Sequence, residues 1–282
     1  MRAPVEGDLA QVARLASEHS PEPVGEAAVR QEWSAPRVDL ELDARVEDDA
    51  CVLVERLDEA RVWMDVQGRP SRELLDWAES RATALGTKIF SGGWSTNRPV
   101  LEALEQRGFR LARHSRRMLA DLADASPGPV WPAGIQARSF RPGDERVFYE
   151  VHQETFRDSW EPVEEPYDEW AHWLLTPPSF VPDLWFLAHE NGEPAGIAIC
   201  HPHRALADLG WVRILGVRRP WRRRGLGRAL LLHAFEEFRR RGCTTAGLGV
   251  DAESLTGAHR LYEEVGMRVT SRFDMYEKTT GP

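Results

Sequence analysis

The sequence predicts a mixed α/β protein, of the α+β kind, built from two domains of similar organisation. Strand-like and helix-like segments alternate through the second half of the 282 residues. A stretch at 124–134, with three prolines, two glycines and no periodic apolar pattern, divides the chain nearly in half. Similar segments recur on both sides of that stretch. These observations predict domains at 1–123 and 135–282, joined by a linker at 124–134.

Two pairs of segments carry the repeat. The segment 2–8, which ends with Asp8 before apolar residues at helical spacing, is echoed at 138–144, an offset of 136 residues. Short helices that stop at Gly108 and Gly266 are each followed by a strand-like run, and these glycines are 158 residues apart. The second half is therefore predicted to be the same unit with about 22 additional residues in its middle.

The elements of the second half follow one another in a clear order. Two helices precede a strand at 185–189, a turn at Asn191 and Gly192, and strands at 196–201 and 210–217. A helix at 227–241 has an apolar stripe that includes Phe235 and Phe238, and Gly242 provides its stop. A strand at 245–250, a helix at 257–265 and a final strand at 272–278 complete the series, and the first half offers a strand at 61–66 and a helix at 73–85. Antiparallel hairpins followed by a crossover helix predict a mixed, mostly antiparallel sheet flanked by helices.

Charge and composition exclude several classes of protein. The formal charge of −9, from 36 Lys and Arg against 45 Asp and Glu, argues against nucleic acid or an anionic membrane as a partner. The longest aliphatic stretch, 229–232, is too short to span a bilayer, and the first eight residues lack the apolar core of a signal peptide, so we expect a cytoplasmic protein. The three cysteines are odd in number and far apart, which predicts reduced thiols: Cys51, Cys200 and Cys243.

The segment 211–230 carries the chemistry. A buried strand ends at Val217, an arginine-rich turn follows, and Gly225 and Gly227 open an amphipathic helix. Unbonded backbone N–H groups at a helix N-terminus, beside guanidinium groups, form a site for an anion such as phosphate. Three other interpretations compete: a solvated turn, a nucleic-acid patch, and the first turn of a dinucleotide-binding fold. The dinucleotide fold lacks its third glycine here, and the acidic chain disfavours the nucleic-acid patch.

This segment resembles the pyrophosphate loop of the GNAT superfamily of N-acetyltransferases. The family pattern is Arg/Gln-x-x-Gly-x-Gly/Ala after the fourth strand, and the residues from Arg222 to Gly227 fit it fully. The resemblance implies acetyl-CoA as the acyl donor and no metal, with backbone groups of the strand end pairing with pantetheine and loop amides holding pyrophosphate. The cofactor-binding residues so implied are Leu215, Gly216, Val217, Arg222, Arg223, Arg224, Gly225, Leu226, Gly227 and Arg228.

A second motif also resembles the family. Its segment after the fifth strand often reads Ala-x-x-Leu-Tyr-Glu-x-x-Gly-Phe, and this chain has the same pattern from Ala258 to Met267. The resemblance implies that Tyr262 is the acid that protonates the departing CoA thiolate, a role that suits a hydroxyl with an ordinary pKa of about 10. The alternative is a purely structural tyrosine on the buried helix face that Ala258, Leu261 and Val265 share.

The chain departs from the family pattern at two positions. Ser254 stands where the family often has an asparagine before the last helix, and it is assigned to the cofactor site as a shorter polar contact. Trp211 stands where some members have a glutamate that acts as general base. Cys200-His201-Pro202-His203 lacks a partner motif and alternates between the two faces of a strand, so no metal site is predicted there.

The stretch 156–185 is rich in acids and rings. Its carboxylates offer either a base that acts through water or a merely solvated loop: Asp158, Glu161, Glu164, Glu165, Asp168 and Glu169. Its rings are expected either to shape the acceptor pocket for an amine or to pack against the other half: Trp160, Tyr167, Trp170, Trp173 and Phe180.

The first half has the predicted elements without the motifs. No Arg-x-x-Gly-x-Gly links its strand at 61–66 to its helix at 73–85, and Leu104 occupies the place of Tyr262. We expect a degenerate GNAT-like domain, in a tandem architecture similar to that of mycothiol synthase-like proteins. The function predicted is direct transfer of acetyl from acetyl-CoA to a primary amine of a small molecule. A non-catalytic acyl-CoA-binding regulatory or scaffold protein is the alternative, and the sequence predicts no oligomeric state.

Overall fold

A computed structural model describes residues 1–123, 128–162, 164–176, 180–203, 206–253 and 257–281. The chain forms two compact units, the first made of Met1–Ser115 and the chain from Ser271 onward, the second of Arg116–Thr270. These units differ from the predicted domain ranges, because the last strand continues out of the second unit and pairs within the first. The linker prediction partly concerns residues 124–127, which lie outside the described residues.

The first unit is a sheet with helices α1 to α5 around it. Its strands lie in the order β1-β2-β3-β4-β11, antiparallel except for the parallel pair β3 and β4, which α4 connects. The helices are α1 (Leu9–Ser17), α2 (Glu26–Trp33), α3 (Leu40–Asp43), α4 (Arg72–Leu85) and α5 (Arg98–Gln106). The strands are β1 (Ala44–Val46), β2 (Ala50–Arg56), β3 (Arg61–Gly68), β4 (Lys88–Trp94) and the later part of β11 (Arg268–Thr279).

The second unit repeats this organisation. Its strands lie in the order β5-β10-β9-β8-β7-β6, and α8 connects the parallel pair β9 and β10. The strands are β5 (Arg110–Asp121, entering from the first unit), β6 (Ile135–Ser139), β7 (Trp185–Glu190), β8 (Glu193–Pro202), β9 (Leu209–Val217) and β10 (Thr245–Asp251). The helices are α6 (Glu145–Phe156), α7 (Tyr167–Leu174), α8 (Leu226–Arg240) and α9 (Ala258–Glu264). The helix predicted at 227–241 and the three strands predicted before it are confirmed.

The repeated opening segments have the same side-chain geometry. The carboxylate of Asp8 accepts hydrogen bonds from both terminal nitrogens of Arg2, at 2.7 and 2.6 Å, and from the amide of Val5 at 2.7 Å. At the offset of 136, Asp144 accepts from Arg138 at 2.5 and 2.9 Å and from the amide of Arg141 at 2.7 Å. In each pair the arginine, through its hydrogen bonds, lowers the pKa of the aspartate. The sequence repeat therefore reflects a repeated helix-entry clamp.

The aromatic stretch forms a core of its own in the second unit. Trp170 on α7 is fully buried, and with Phe148 and Trp185 it belongs to a cluster on the α6 side of the sheet. Tyr167, Trp173 and Phe180 pack against that cluster. Alternating residues of β7, β8 and β9 turn apolar side chains to this face, and these four rings cover them. The two expected roles of the aromatic stretch, an acceptor pocket or packing against the other half, stay predictions.

Two further expectations concern the state of the cysteines and the presence of a membrane-spanning helix. All three cysteines are buried and free, as predicted, and burial raises the pKa of each thiol. Within the described ranges, no helix combines the length and the apolar character that a membrane crossing needs.

Candidate functional site

The site begins where two parallel strands separate. β9 and β10 pair from Leu209 with Thr245 to Val212 with Leu248 and then diverge, while β9 stays paired with β8 as far as Val217. The edge of β9 from Arg213 to Val217 that faces β10 therefore has no strand partner among the described residues. Backbone N–H and C=O groups on such an edge are available to an extended ligand. Leu215 and Val217, both assigned to the cofactor, lie on this edge and are half-buried.

Gly216 is fixed by packing on its other side. A Cβ atom at this position would lie 2.4 Å from Oγ1 and 3.1 Å from Cβ of Thr155, which is on α6. These distances are far below normal contact distances, so a glycine is needed for α6 to lie against β9. The resemblance assigns Gly216 to the cofactor, and the structure adds a helix-packing reason for the same residue.

The turn after β9 presents its backbone to the open edge. Residues 219–221 form a short 3-10 turn, after which Arg223 and Gly225 adopt positive φ angles of 62° and 84°. Gly225 caps α8 in this left-handed conformation, which suits glycine. Within the described part of the chain, nothing accepts a hydrogen bond from the amides of Leu226, Gly227 or Arg228. The start of α8 therefore offers unsatisfied N–H groups and the positive end of a helix dipole.

The arginines of the turn fall into two groups. Arg222 donates from Nη1 to Asp158 at 2.7 Å and from Nε to the carbonyl of Val217 at 3.0 Å, and Arg219 also contacts Asp158. Arg224 forms a two-point ion pair with Glu190 at 2.7 and 3.1 Å. The remaining arginines of the motif, Arg223 and Arg228, form no ion pair with any described residue. The charges of Arg223 and Arg228 are therefore available to bind an anion.

These ion pairs involve one of the candidate bases. Hydrogen bonds from Arg219 and Arg222 lower the pKa of Asp158 to about 2, so this carboxylate is ionised and weakly basic near neutral pH. Its carboxylate holds two arginines of the turn, and a role as a base through water stays a prediction. Of the other acids in that stretch, Asp168 and Glu169 lie in the first turn of α7.

Tyr262 lies where the motif predicts, on α9. Its side chain is 7% exposed and belongs to the same apolar cluster as Leu226 and Val250, and Leu261 beside it approaches the start of α8 at Gly227. Burial raises the pKa of the Tyr262 hydroxyl to about 12. The hydroxyl is therefore protonated at neutral pH, as a proton donor must be. Ser254, the other predicted polar contact, lies outside the described residues.

His152 is a site residue that no sequence pattern indicates. This residue, on α6, accepts a hydrogen bond at Nδ1 from Nε1 of Trp170 at 3.0 Å. Burial, assisted by the charge of Arg213 on the open edge of β9, lowers the pKa of His152 to about 4. A neutral imidazole thus lies near the splayed strand, and no local motif marks it because its partner is 18 residues away.

Comparison with known proteins agrees with this geometry. A family model described as the acetyltransferase (GNAT) family matches residues 146–267, which include the turn, α8 and Tyr262. A mycothiol acetyltransferase of Thermobispora bispora is 30% identical over 228 residues, which are 72% of this chain and 74% of that protein. The chain belongs to the GNAT family of acetyltransferases. It is an acyltransferase by this membership, and the activity that the relatives support is acetyl transfer to an amine.

Other relatives extend the likeness to the whole chain. A mycothiol acetyltransferase of Streptomyces bingchenggensis is 32% identical, over 67% of this chain and 61% of its own length. The crystal structure of a GCN5-related N-acetyltransferase from Sphaerobacter thermophilus, 31% identical, matches with a TM-score of 0.78 over 100% of this chain and 95% of its own. A tandem GNAT protein from the clavulanic acid biosynthesis pathway, 13% identical, shares the fold with a TM-score of 0.74 over 100% and 98%. The tandem GNAT fold predicted from the sequence is thereby confirmed.

Two further observations concern a metal site and a cysteine nucleophile in the described ranges. They contain no group of three or more side chains that could hold a metal ion. Cys200 and Cys243 are buried thiols with raised pKa values, which are poor nucleophiles.

Proposed function

We propose that the second unit binds acetyl-CoA along the open edge of β9 and the start of α8, and transfers its acetyl group directly to a primary amine of a small molecule. One observation carries this proposal: a strand edge without a partner leads, within nine residues of Val217, into a helix start whose amides are unsatisfied. An amide-containing arm followed by a pyrophosphate has the shape and charge to satisfy both features at once.

Each residue has a distinct part in binding. The backbone of Leu215 and Val217 pairs with the pantetheine arm, and the amides of Leu226, Gly227 and Arg228 bind the pyrophosphate. Arg223 and Arg228 supply positive charge, since no described carboxylate neutralises them. Arg222 positions the turn, because it joins Asp158 to the end of β9 at the Val217 carbonyl.

The transfer needs one bond exchange and three proton movements. The neutral amine attacks the thioester carbonyl, a C–N bond forms, and the C–S bond breaks with its electrons on sulfur. Tyr262 donates its proton to the thiolate, the proton of the new ammonium leaves to solvent, and the Tyr262 phenolate regains a proton from solvent. We assign no carboxylate of the chain as the base that takes up the ammonium proton. The chain's contribution is therefore alignment of the two substrates and delivery of a proton to the leaving sulfur.

The acceptor is proposed from chemistry and from the relatives. Several of them are named mycothiol acetyltransferases, so a mycothiol-related small molecule with a primary amine is the first acceptor to test. We infer only the class of acceptor for this chain, a small molecule with a primary amine, because the core that four of the aromatic rings form does not identify one acceptor.

The test is calorimetric titration of the full chain with acetyl-CoA. Arg228→Glu reverses a charge beside the proposed pyrophosphate site, and Arg239→Glu makes the same change near the other end of α8 as a matched control. Reversing a charge at about 4 Å in water costs about 2 kcal/mol, so the first variant should bind about thirtyfold more weakly. The control should bind within about twofold of the unaltered chain.

Transfer is then measured directly, by mass spectrometry of a panel of primary amines incubated with the chain and acetyl-CoA. Acetylation of one or more amines that depends on Arg228 supports the proposal. If acetyl-CoA fails to bind the unaltered chain, or binds both variants equally, the site on β9 and α8 must be given up.

A further inference from the structure

The first unit contains a cavity at the equivalent separation of its own parallel strands. β3 and β4 pair from Arg61 with Lys88 to Met64 with Ser91 and then diverge, as β9 and β10 do in the second unit. A cavity of about 190 Å³ lies there, bordered by the diverging ends of β3 and β4 and by α1 and α2. Ligand pockets for drug-sized molecules span about 300–1,000 Å³, so an occupant of this cavity must be small.

Two carboxyl groups from different elements border the cavity. Asp65, on β3, accepts hydrogen bonds from Nε2 of Gln67 at 3.0 and 2.8 Å. Glu32, on α2, also lines the cavity, and its side chain makes no hydrogen bond or ion pair with any described residue. None of the residues that line the cavity is a lysine or arginine. The structure thus brings two acids together, 33 residues apart in sequence, without a lysine or arginine among the lining residues.

The surroundings make this pair costly to charge. Burial raises the pKa of both carboxyls, that of Glu32 to about 8, where the charges of Asp65 and Glu55 add to the effect of burial. Carboxylates held in this way destabilise a fold unless a positive charge joins them. A cationic ligand in the cavity would supply that positive charge.

Aromatic rings complete the lining. Trp94 and Phe273 both border the cavity, and their rings pack edge to face with centroids 5.5 Å apart. Carboxylates together with aromatic faces are the combination that attracts organic ammonium groups. A divalent metal ion would need more oxygen ligands than two carboxyl groups provide, and no cluster of three metal-ligating side chains exists in the described ranges.

We propose that this cavity is a binding site for a small organic ammonium compound, held between Glu32 and Asp65 and against Trp94 and Phe273. The site is separate from the acetyl-CoA site, because it lies in the first unit, whose strand β3 leads to α4 without the Arg-x-x-Gly-x-Gly turn. The inference does not depend on the proposed function of the second unit.

Binding of a cation at this site should release protons, which can be measured. Glu32 is protonated at neutral pH because its pKa is about 8, and a bound cation favours the ionised form. Each cation bound at pH 7 should therefore release close to one proton, and affinity should rise between pH 7 and pH 9. The other titratable groups around the pair are the carboxyl of Glu55, the thiol of Cys51 and the imidazole of His19.

The test uses tetramethylammonium, whose charge does not change with pH, and tert-butanol as an uncharged molecule of similar size. The full chain is titrated with each by calorimetry at pH 7, in phosphate and in HEPES, whose different heats of ionisation report proton release. We expect saturable binding of the cation, release of nearly one proton, and at least tenfold weaker binding of the alcohol.

Three variants locate the site. Glu32→Gln resembles the protonated acid, so it should fold normally, bind the cation at least tenfold more weakly and release no proton. Glu73→Gln, which removes an exposed carboxylate from α4, is the matched control and should bind like the unaltered chain. Arg228→Glu should also leave cation binding unchanged, which separates this inference from the acetyl-CoA site. Should Glu32→Gln fold poorly, Asp65→Asn takes its place with the same expectation.

Several results would overturn the inference. They are the absence of saturable binding up to 50 mM tetramethylammonium (about the weakest affinity of interest), equal binding of tert-butanol, and unaltered binding by Glu32→Gln. Binding that Arg228→Glu abolishes would place the cation in the second unit and count equally against it.

Discussion

The contact between Gly216 and Thr155 makes a quantitative prediction about the scaffold of the acetyl-CoA site. In a Gly216→Ala variant, the new methyl group would lie 2.4 Å from Oγ1 and 3.3 Å from Cγ2 of Thr155, so α6 has to move by about 1 Å to restore normal contacts. Overpacking of this kind costs about 1–3 kcal/mol, and the lower chain entropy of alanine in the unfolded state returns about 0.4–1 kcal/mol. The expected net loss is about 1–2 kcal/mol.

A second substitution, Thr155→Ala, tests whether the contact with Gly216→Ala causes the loss of stability. Thr155→Ala removes the closest of the three Thr155 atoms that the new methyl meets, Oγ1, together with Cγ2, and leaves Cβ at 3.1 Å. The hydroxyl it deletes bonds only to carbonyls of its own helix, at Val151 or His152. This single change should cost less than about 1 kcal/mol. The double variant should therefore be more stable than Gly216→Ala alone, with a coupling free energy of about 1 kcal/mol or more.

Scanning calorimetry measures these differences. The transition of the second unit is identified as the one that acetyl-CoA raises. For a unit of about 150 residues, 1–2 kcal/mol corresponds to a decrease in Tm of about 3–6 °C, of which the double variant should recover at least half. Acetyl-CoA affinity is measured on the same four proteins.

A glycine at position 216 is explained either by helix packing or by the space that the ligand needs, and these two explanations predict different results. If helix packing explains Gly216, Thr155→Ala restores both Tm and acetyl-CoA affinity to the Gly216→Ala chain. Recovery of Tm without recovery of affinity would show that the ligand itself needs the space. No recovery of either would refute the packing argument, because the closest contact, with Oγ1 at 2.4 Å, would have been removed without effect.

Three further predictions follow from the site, the clamp and the thiols. Tyr262→Phe should lower kcat about a hundredfold while the Kd for acetyl-CoA stays within about twofold, since only proton delivery is lost; an unchanged kcat would end the acid assignment. Asp144→Asn should cost about 1–2 kcal/mol at pH 7 by urea unfolding. The Arg138 contact lowers the folded pKa of Asp144, so its stabilisation exists above about pH 4 and is lost as pH falls through that lowered pKa; an equal difference at pH 3 would contradict this. The three buried thiols should react with Ellman's reagent only after denaturation, and rapid reaction of the native chain would show that burial does not protect them.

The sequence determined the features that depend on neighbours along the chain. The apolar stripe of α8, its glycine cap and the arginine turn before it are local patterns, and each was found where predicted. The clamp segments are equally local, since Arg138 and Asp144 are six residues apart, and so their repeat was visible without a structure. Local patterns survive folding because the hydrogen bonds and helix contacts that they specify span only a few residues.

Only the tertiary structure decided the features that depend on distant residues. The sequence leaves Asp158 as either a base or a solvated loop residue, whereas the fold bonds it to Arg219 and Arg222, 61 and 64 residues away, which lower its pKa. The sequence likewise leaves a pocket or an interface open for the aromatic stretch, and the fold packs four of its rings in a core whose other wall comes from three strands. No sequence pattern marks Glu32, which the fold places beside Asp65 at the separation of β3 and β4. Burial and charge at a site are sums over all groups nearby in space, so no sequence pattern records them.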